Sequence, residues 1–153
     1  MIVLVIAVDR IRSPYVSSAC AEFQKRLGAY YSYEAVEVRP GDGRDPATAM
    51  REECARIARQ LRDDDRVWLL DRGGKQLSSP GLAQRLDDVG RSGAQRLCLV
   101  IGGAFGTDAT LHARAEFTWS LSELTFLHEW ARMIVLEQLY RAAKIARNEP
   151  YHH

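Results

Sequence analysis

The chain has 153 residues, the length of one ordinary domain, and it needs no second hydrophobic core. Hydrophobic residues make up 46% of it and charged residues 27%, which are the proportions of a globular protein and argue against disorder. The formal net charge of +1 gives little long-range attraction for a polyanion, so nucleic-acid binding requires a local patch.

Neither a membrane span nor an export signal is indicated. The longest apolar runs, 2–8 and 97–101, are far shorter than the roughly 20 residues that cross a bilayer. Met1 leads directly into the first run, without the pattern of a signal peptide. The three cysteines are far apart and odd in number, which favours reduced thiols. We therefore expect a soluble, cytoplasmic protein with no membrane partner.

Apolar runs alternate with helical stripes along the chain. Residues 2–8 are continuously aliphatic, as in a strand buried on both faces of a parallel sheet, whereas 34–38 alternates, as in a strand nearer an edge. Ser13 followed by Pro14 predicts the start of the first helix. The predicted strands are 2–8, 34–38, 66–70, 97–101 and 116–119, and the predicted helices are 14–31, 45 or 46 to 62, 78 or 79 to 90 or 93, 107–115 and 128–147. This order predicts an α/β fold in one domain over 1–153, with a mostly parallel sheet and helices on both faces.

The last predicted helix, 128–147, is apolar over most of its circumference. Its polar stripe is narrow and consists mainly of Glu137, Arg141 and Lys144. A helix of this kind buries more than one face. One face can cover the sheet, and we expect the other to meet a second copy of the chain in a homodimer. The alternative is a central helix of a monomer.

Two glycine-containing stretches follow predicted strands. They are Leu70-Asp71-Arg72-Gly73-Gly74-Lys75, predicted to be a tight loop, and Ile101-Gly102-Gly103-Ala104-Phe105-Gly106. Ligands of parallel sheets bind beyond the carboxyl ends of the strands, and glycine lets the backbone approach a ligand closely. The second stretch is neither a dinucleotide fingerprint nor a phosphate loop, and such stretches are equally often plain turns.

Metal binding and covalent catalysis find little support. The histidines are His112, His128, His152 and His153. They have no paired spacing on one helix, so no metal is expected. Cys98 lies in a predicted buried strand, where a thiol is an inert small hydrophobe. The hydroxyls of Ser120 and Ser122 lack a nucleophile-elbow pattern and are expected to cap backbone groups. The residues alone therefore predict an α/β protein with a small-molecule pocket.

Several segments occur together in an order that resembles one protein family. They are the two glycine stretches, Trp119-Ser120-Leu121-Ser122-Glu123-Leu124-Thr125, Arg132, Glu137, Leu139-Tyr140-Arg141-Ala142 and Asn148-Glu149-Pro150-Tyr151-His152. In this combination the whole chain resembles the RlmH family. Members of that family are pseudouridine N3-methyltransferases of the large ribosomal subunit, in the SPOUT (α/β-knot) class.

The resemblance implies a trefoil-knotted C-terminal half, a homodimer and the cofactor S-adenosylmethionine (AdoMet), bound in a bent form. The implied substrate is a pseudouridine in a stem-loop of 23S rRNA within the assembled 70S ribosome. The implied cofactor contacts, largely through backbone groups, are Leu70, Gly102, Gly103, Ser122, Glu123, Leu124, Thr125, Phe126 and Leu127.

The implied reaction is an in-line attack of the uracil N3 on the methyl group. Because N3 carries a proton at neutral pH, a base is needed, and His152 is the first candidate, ahead of His128 and Glu129. We hypothesise that His152 and Tyr151 close over the site and that Arg132 orients the RNA backbone or the base. The alternative for Tyr151 and His152 is a frayed chain end, the common state of last residues, and an equally open alternative for Arg132 is an ion pair within the helix region.

The chain departs from the family at two places. Ala104-Phe105 stands where members carry a proline and an acidic residue, and Phe126-Leu127-His128-Glu129 replaces a stretch richer in proline. Backbone contacts with the cofactor are expected to tolerate both changes. Two other functions stay open: a catalytically silent ribosome-binding or assembly protein with the same fold, and a related methyltransferase acting on tRNA. The latter is disfavoured because the sequence has no added RNA-binding domain.

Overall fold

The structure is a computed structural model that describes residues 1–150. Strands and helices alternate along the chain, as the sequence predicts. The strands are β1 (Ile2–Val8), β2 (Ser32–Val38), β3 (Arg66–Gln76), β4 (Arg96–Ile101) and β5 (Phe117–Ser120). The helices are α1 (Pro14–Leu27), α2 (Pro46–Ala58), α3 (Ser79–Arg91), α4 (Ala109–Arg114) and α5 (His128–Ala146). Within the described part of the chain, no helix has the length and apolar character needed to cross a membrane.

The five strands form one sheet in the order β2-β1-β4-β3-β5, and every strand pairing is parallel. This confirms the predicted α/β class and the predicted edge position of β2. All six residues of the central strand β4 are buried, which explains the unbroken apolar run 97–101, and the buried Arg96 at its start is paired with Asp65. The trefoil knot of the C-terminal half stays a prediction.

Helices cover both faces of the sheet. Along β1, Val3, Val5 and Ala7 face the core that contains α1, α3 and α5, whereas the intervening residues face the core that contains α2 and α4. Such alternation follows from the two-residue period of a strand. The sheet is therefore buried between two helical layers, and its strand ends are the places left for a site.

The third strand differs from its prediction. The glycine stretch 71–75 is not a tight loop, because β3 continues through it to Gln76, with a shift in its pairing to β5 between Leu70 and Lys75. A Cβ on Gly74 would stand 2.5 Å from the carbonyl oxygen of Thr118. Gly74 is therefore required because two strands approach each other closely there. In the sequence alone, a glycine of this kind cannot be distinguished from a turn glycine.

Two predicted helix ends lie too far along the chain. α1 ends at Leu27 instead of 31, because Tyr30 N–H turns back to the Leu27 carbonyl at 2.8 Å. α2 ends at Ala58 instead of 62, where Gln60 N–H donates to the Ile57 carbonyl at 2.9 Å. Both are three-residue turns that tighten a helix end, and apolar periodicity continues through them.

Candidate functional site

A cavity of about 680 Å³ opens at the carboxyl end of β4 and beside Leu70 of β3, where the pairing of these two strands ends. Three segments that are far apart in the sequence form its wall: 70–72, 101–107 and the loop 121–128, which joins β5 to α5. Parallel pairing places these strand ends at one edge, Leu70 opposite Ile101 and Trp119 opposite Leu70. The structure thus brings together the segments on which the predicted pocket depends.

The glycine loop contributes backbone to this wall. Gly103 accepts a hydrogen bond from Gly106 N–H at 3.1 Å, and Gly106 has φ +79°, a left-handed conformation that favours glycine. A Cβ on Gly102 would stand 2.7 Å from Cγ2 of Thr107, and one on Gly103 would stand 2.9 Å from Cδ of Glu53. Because neither residue has room for a side chain, the loop presents backbone groups to a ligand.

The loop 121–127 is held by two serines. Ser120 Oγ donates to the carbonyl of Ser122 at 2.9 Å, and Ser122 Oγ accepts from Leu124 N–H at 3.1 Å. The predicted capping role of both hydroxyls is confirmed. The residues that follow are apolar and exposed, with 71% of the surface of Leu124 and 71% of that of Leu127 open to solvent. Large apolar groups so exposed around a cavity mark a binding surface.

His128 begins α5 and lines the same cavity. Its Nε2 is buried and has no hydrogen-bond partner among the described residues. The pKa of Asp9 is lowered mainly by a hydrogen bond from Arg10 N–H, with smaller contributions from Arg12 and from the charge of His128. A buried polar atom without a partner calls for an explanation, and a ligand bound in the neighbouring cavity would provide one.

Glu129 points away from the cavity, toward the loop between β1 and α1. Its carboxylate accepts from Arg12 N–H at 2.7 Å and from Ser13 N–H at 3.2 Å. The first of these bonds is the main cause of a lowered Glu129 pKa. Glu129 therefore ties the β1–α1 loop to the start of α5, and both of its oxygens are in use.

Arg132 does not line the cavity. Its buried guanidinium donates from Nη2 to Glu37 Oε1 at 2.7 Å and from Nη1 to the Asp9 carbonyl at 3.2 Å. The ion pair that the sequence left open thus exists, but with a strand residue of β2. Glu123 is exposed in the 121–127 loop and is likewise absent from the cavity wall. Tyr151 and His152 lie outside the described residues, so their predicted roles stay predictions.

The other predicted cofactor residues do line the cavity: Leu70, Gly102, Gly103, Ser122, Leu124, Thr125, Phe126 and Leu127. Arg72 and Trp119 line it as well and were not predicted. Sequence reasoning also missed Glu53, which lies behind the glycine loop. A signal for it exists, because Ala49, Glu53 and Ile57 follow one another at four-residue spacing, which places a carboxylate on the apolar face of α2.

The thiols are poor nucleophiles in this structure. All three cysteines are free and buried, and burial raises the pKa of Cys98 to about 12. Burial also raises the pKa of Cys20 and Cys54. Between residues 1 and 150, no three or more histidine, cysteine, aspartate or glutamate side chains are grouped so as to hold a metal ion.

Comparison with known proteins gives full-length matches. The family described as "Predicted SPOUT methyltransferase" matches residues 1–152. The "Ribosomal RNA large subunit methyltransferase H" of Gloeobacter violaceus is 41% identical over 153 residues, 100% of this chain and 99% of that protein. The protein of the same name from Bifidobacterium adolescentis is 40% identical over 160 residues, 99% of each chain. A solved structure, the SpoU methyltransferase AviRb from Streptomyces viridochromogenes in complex with AdoMet, aligns with TM-score 0.42 and 14% identity, over 90% of this chain and 56% of that one.

These full-length matches confirm the resemblance and the predicted enzyme class, a methyltransferase. The chain therefore belongs to the SPOUT methyltransferases and, within them, to the ribosomal RNA large subunit methyltransferase H family, RlmH.

Proposed function

We propose that this methyltransferase transfers a methyl group from AdoMet to N3 of a pseudouridine in 23S rRNA of the assembled 70S ribosome. The observation that carries the proposal is the meeting of 70–72, 101–107 and 121–128 in one cavity. The names of the relatives, which are 41% and 40% identical over their full length, support rRNA as the substrate class. The protein acts in the cytoplasm as a single methyltransferase domain over 1–153.

The residues of the cavity fit the cofactor. A volume of about 680 Å³ lies within the range of small-molecule sites, about 300–1,000 Å³. Leu70, Leu124 and Leu127 provide apolar walls for an adenine ring, and the glycine loop offers backbone groups for polar atoms. When bound, AdoMet supplies a methyl group on a positively charged sulfur. The chain's own task is to hold this methyl group and the uracil in line and to exclude water, since positioning supplies much of the acceleration of such a transfer.

A base must take the N3 proton, and the structure separates the candidates. Glu129 is a poor base, because two backbone N–H groups occupy its carboxylate and lower its pKa. His128 has a free Nε2 in the cavity wall, where it can hydrogen-bond to the uracil. We retain His152 as the base and assign His128 to the orientation of the nucleobase.

The position of α5 bears on where His152 acts. Glu149 is fixed at the far end of α5, with its Oε2 at 2.7 Å from Tyr30 Oη and 2.5 Å from Lys144 Nζ. The distance along the helix from His128 to Lys144 is about 24 Å, at about 1.5 Å per residue. The two residues that lead from Pro150 to His152 span at most about 7 Å. If His152 is the base, the cavity that it serves is therefore that of a second subunit, and we propose a homodimer on this ground.

An apolar surface beside the cavity suits that second subunit. Tyr15 and Trp130 pack edge to face with ring centroids 6.4 Å apart, and they remain 64% and 40% exposed. Leu127, three residues before Trp130, is 71% exposed and lines the cavity. Exposed aromatic residues are the usual anchors of an interface, so we assign this surface to the dimer contact. Arg72 in the cavity wall supplies positive charge where the RNA backbone approaches.

Mass spectrometry of rRNA and tRNA from a strain that lacks this gene tests the substrate. We expect N3-methylpseudouridine to disappear from 23S rRNA and to return when the gene is restored. Loss of a methyl group from tRNA alone would favour the tRNA methyltransferase. Unchanged RNA, together with no AdoMet binding by calorimetry, would favour the catalytically silent ribosome-binding protein.

His152→Ala tests the base. With undermethylated ribosomes as substrate, we expect the rate to fall by about 10²- to 10⁴-fold while AdoMet binding persists. A parental rate for this variant would show that another group removes the N3 proton.

A further inference from the structure

We propose that Glu53 is a positioning residue for the cofactor, because its buried carboxylate fixes the backbone of Gly103 in the cavity wall. This inference rests on the proposed AdoMet site. Glu53 belongs to α2, on the opposite side of the glycine loop from the cavity, so it acts on a bound cofactor only through that loop.

Glu53 is an unusual core residue. Only 4% of its surface is exposed, and Oε1 accepts a hydrogen bond from Gly41 N–H at 2.9 Å. Its other oxygen, Oε2, is buried without a hydrogen-bond partner among the described residues. A carboxylate oxygen left in this state opposes folding, so its presence calls for a reason other than stability.

The unpartnered oxygen is directed at Gly103. A Cβ built on Gly103 would overlap Oε2 and would stand 2.9 Å from Cδ and 3.1 Å from Oε1 of Glu53. The carboxylate thus occupies the space that any side chain at 103 would need. Glu53 sets how far the loop can retreat from the cavity, and it restricts position 103 to glycine.

The rest of α2 gives this carboxylate a rigid support. Arg56 Nη1 donates to the carbonyls of Arg39 and Pro40, at 2.9 and 3.0 Å. Cys54 Sγ accepts from Asp108 N–H at 3.3 Å, just beyond the glycine loop. The helix is therefore anchored both to the β2–α2 loop and to the segment that follows Gly106, by residues one and three positions after Glu53.

Steady-state kinetics test the proposal. Because Glu53 touches no reacting atom, Glu53→Ala is expected to raise KM for AdoMet about tenfold and to leave kcat within about twofold of the parent. Glu53→Gln keeps the shape and the acceptor for Gly41 N–H, so its KM is expected within about threefold. Glu22→Ala, at an exposed glutamate of α1, is the matched control. A KM within twofold for Glu53→Ala, or an equal rise in Glu53→Gln, would overturn the proposal. If Glu53→Ala does not fold, Glu53→Asp, which withdraws the carboxylate from Gly103, takes its place under the same criteria.

A double variant tests the contact itself. Gly103→Ala alone is expected to raise KM about 30-fold, and adding Glu53→Ala is expected to bring KM back to that of Glu53→Ala alone. Multiplying effects would mean that the two positions act independently, which contradicts the inference. Thermal melting monitored by circular dichroism checks that each variant folds. Parent enzyme that fails to bind AdoMet refutes the proposed site as well, whereas a binding parent with uncoupled variants refutes only the role of Glu53.

Discussion

Buried polar groups of the described residues are paired at the amino ends of β3 and β4, whereas some are unpaired near the cavity at the opposite ends. At the amino ends, the carboxylate of Asp65 accepts two bonds from Arg96, at 2.7 and 2.5 Å, and a third from Arg62 N–H at 2.7 Å. Arg96 also reaches the Gln60 carbonyl at 3.0 Å, and Arg114 donates to the Asp65 carbonyl at 3.0 Å. This end forms a closed network in which every hydrogen-bonding group just named is paired.

At the carboxyl ends, some buried polar atoms lack hydrogen-bond partners and some large apolar side chains are exposed. Among the buried side chains of residues 1–150, two atoms have no hydrogen-bond partner: Nε2 of His128, which lines the cavity, and Oε2 of Glu53, which lies behind the glycine loop. The cavity rim also exposes Phe105, Leu124 and Leu127. A fold satisfies its polar groups and buries its apolar ones except where a ligand or a partner will do so. The amino ends therefore stabilise the molecule, and the carboxyl ends carry its function.

Breaking the amino-end network gives the largest expected effect. Asp65→Ala leaves the buried charge of Arg96 without its partner and is expected to lower the free energy of unfolding by about 3–5 kcal/mol. Urea denaturation measures this change. Asp63→Ala, at an exposed neighbour, is the control and is expected to change it by less than about 0.5 kcal/mol. Equal free energies of unfolding for the two variants would show that the network around Asp65 and Arg96 does not stabilise the fold.

His128→Ala tests the carboxyl end. The variant is expected to fold and to bind AdoMet, but to lower the rate of methyl transfer about 10²-fold, because the nucleobase loses a hydrogen bond that orients it for attack. Single-turnover assays on undermethylated ribosomes measure this rate. His112→Ala is the control, since that exposed imidazole lies outside the cavity wall and hydrogen-bonds to Thr107 Oγ1 at 3.3 Å. A parental rate for His128→Ala would contradict the assignment of His128 to the orientation of the nucleobase.

The sequence predicts the fold well because its signals are local. Unbroken aliphatic runs locate β1 and β4, and proline after serine locates the start of α1 and α3. The signals are weakest where a residue's role depends on a distant segment. Gly74 has the sequence of a turn, yet it is a strand residue because the Thr118 backbone passes beside it.

The same distinction applies to the site. Residues 102–103 are indicated by glycines that follow a predicted strand, whereas 124–127 are predicted only from the resemblance to the family. For Arg132 the sequence leaves an RNA contact and an ion pair open, and the structure shows an ion pair with Glu37 of β2 and a hydrogen bond to the Asp9 carbonyl. Glu53 escapes prediction because an acidic residue on a helix is ordinarily solvated. Its burial depends on the glycine loop, which follows it by some 50 residues in the sequence.

A smaller effect is expected at the apolar surface near the start of α1. Tyr15→Ala removes a ring that is 64% exposed, so unfolding is expected to change little. If this ring is an anchor of the dimer, the dissociation constant of the dimer rises about tenfold, or about 1.4 kcal/mol. Sedimentation of a dilution series measures this constant, and Lys25→Ala on the same helix is the control. A parental constant for Tyr15→Ala would place the dimer contact elsewhere.

The smallest expected effect is a pH dependence at Glu129, whose carboxylate joins the β1–α1 loop to α5. The N–H groups of Arg12 and Ser13 hold its pKa below the ordinary value, so the folded state binds this proton less readily than the unfolded state does. The resulting stability is fully present above about pH 4.5 and is lost as the pH falls through the lowered pKa. Glu129→Gln lacks this carboxylate, so its stability is expected to fall less steeply than that of the parent below about pH 4.5. Chemical denaturation at a series of pH values measures both slopes, with Glu123→Gln as a control of equal charge change on an exposed residue. Glu129 positions the loop without entering the cavity, so the affinity of Glu129→Gln for AdoMet at neutral pH is expected to differ from that of the parent by less than threefold. A larger loss of affinity would show that Glu129 contributes to the AdoMet site.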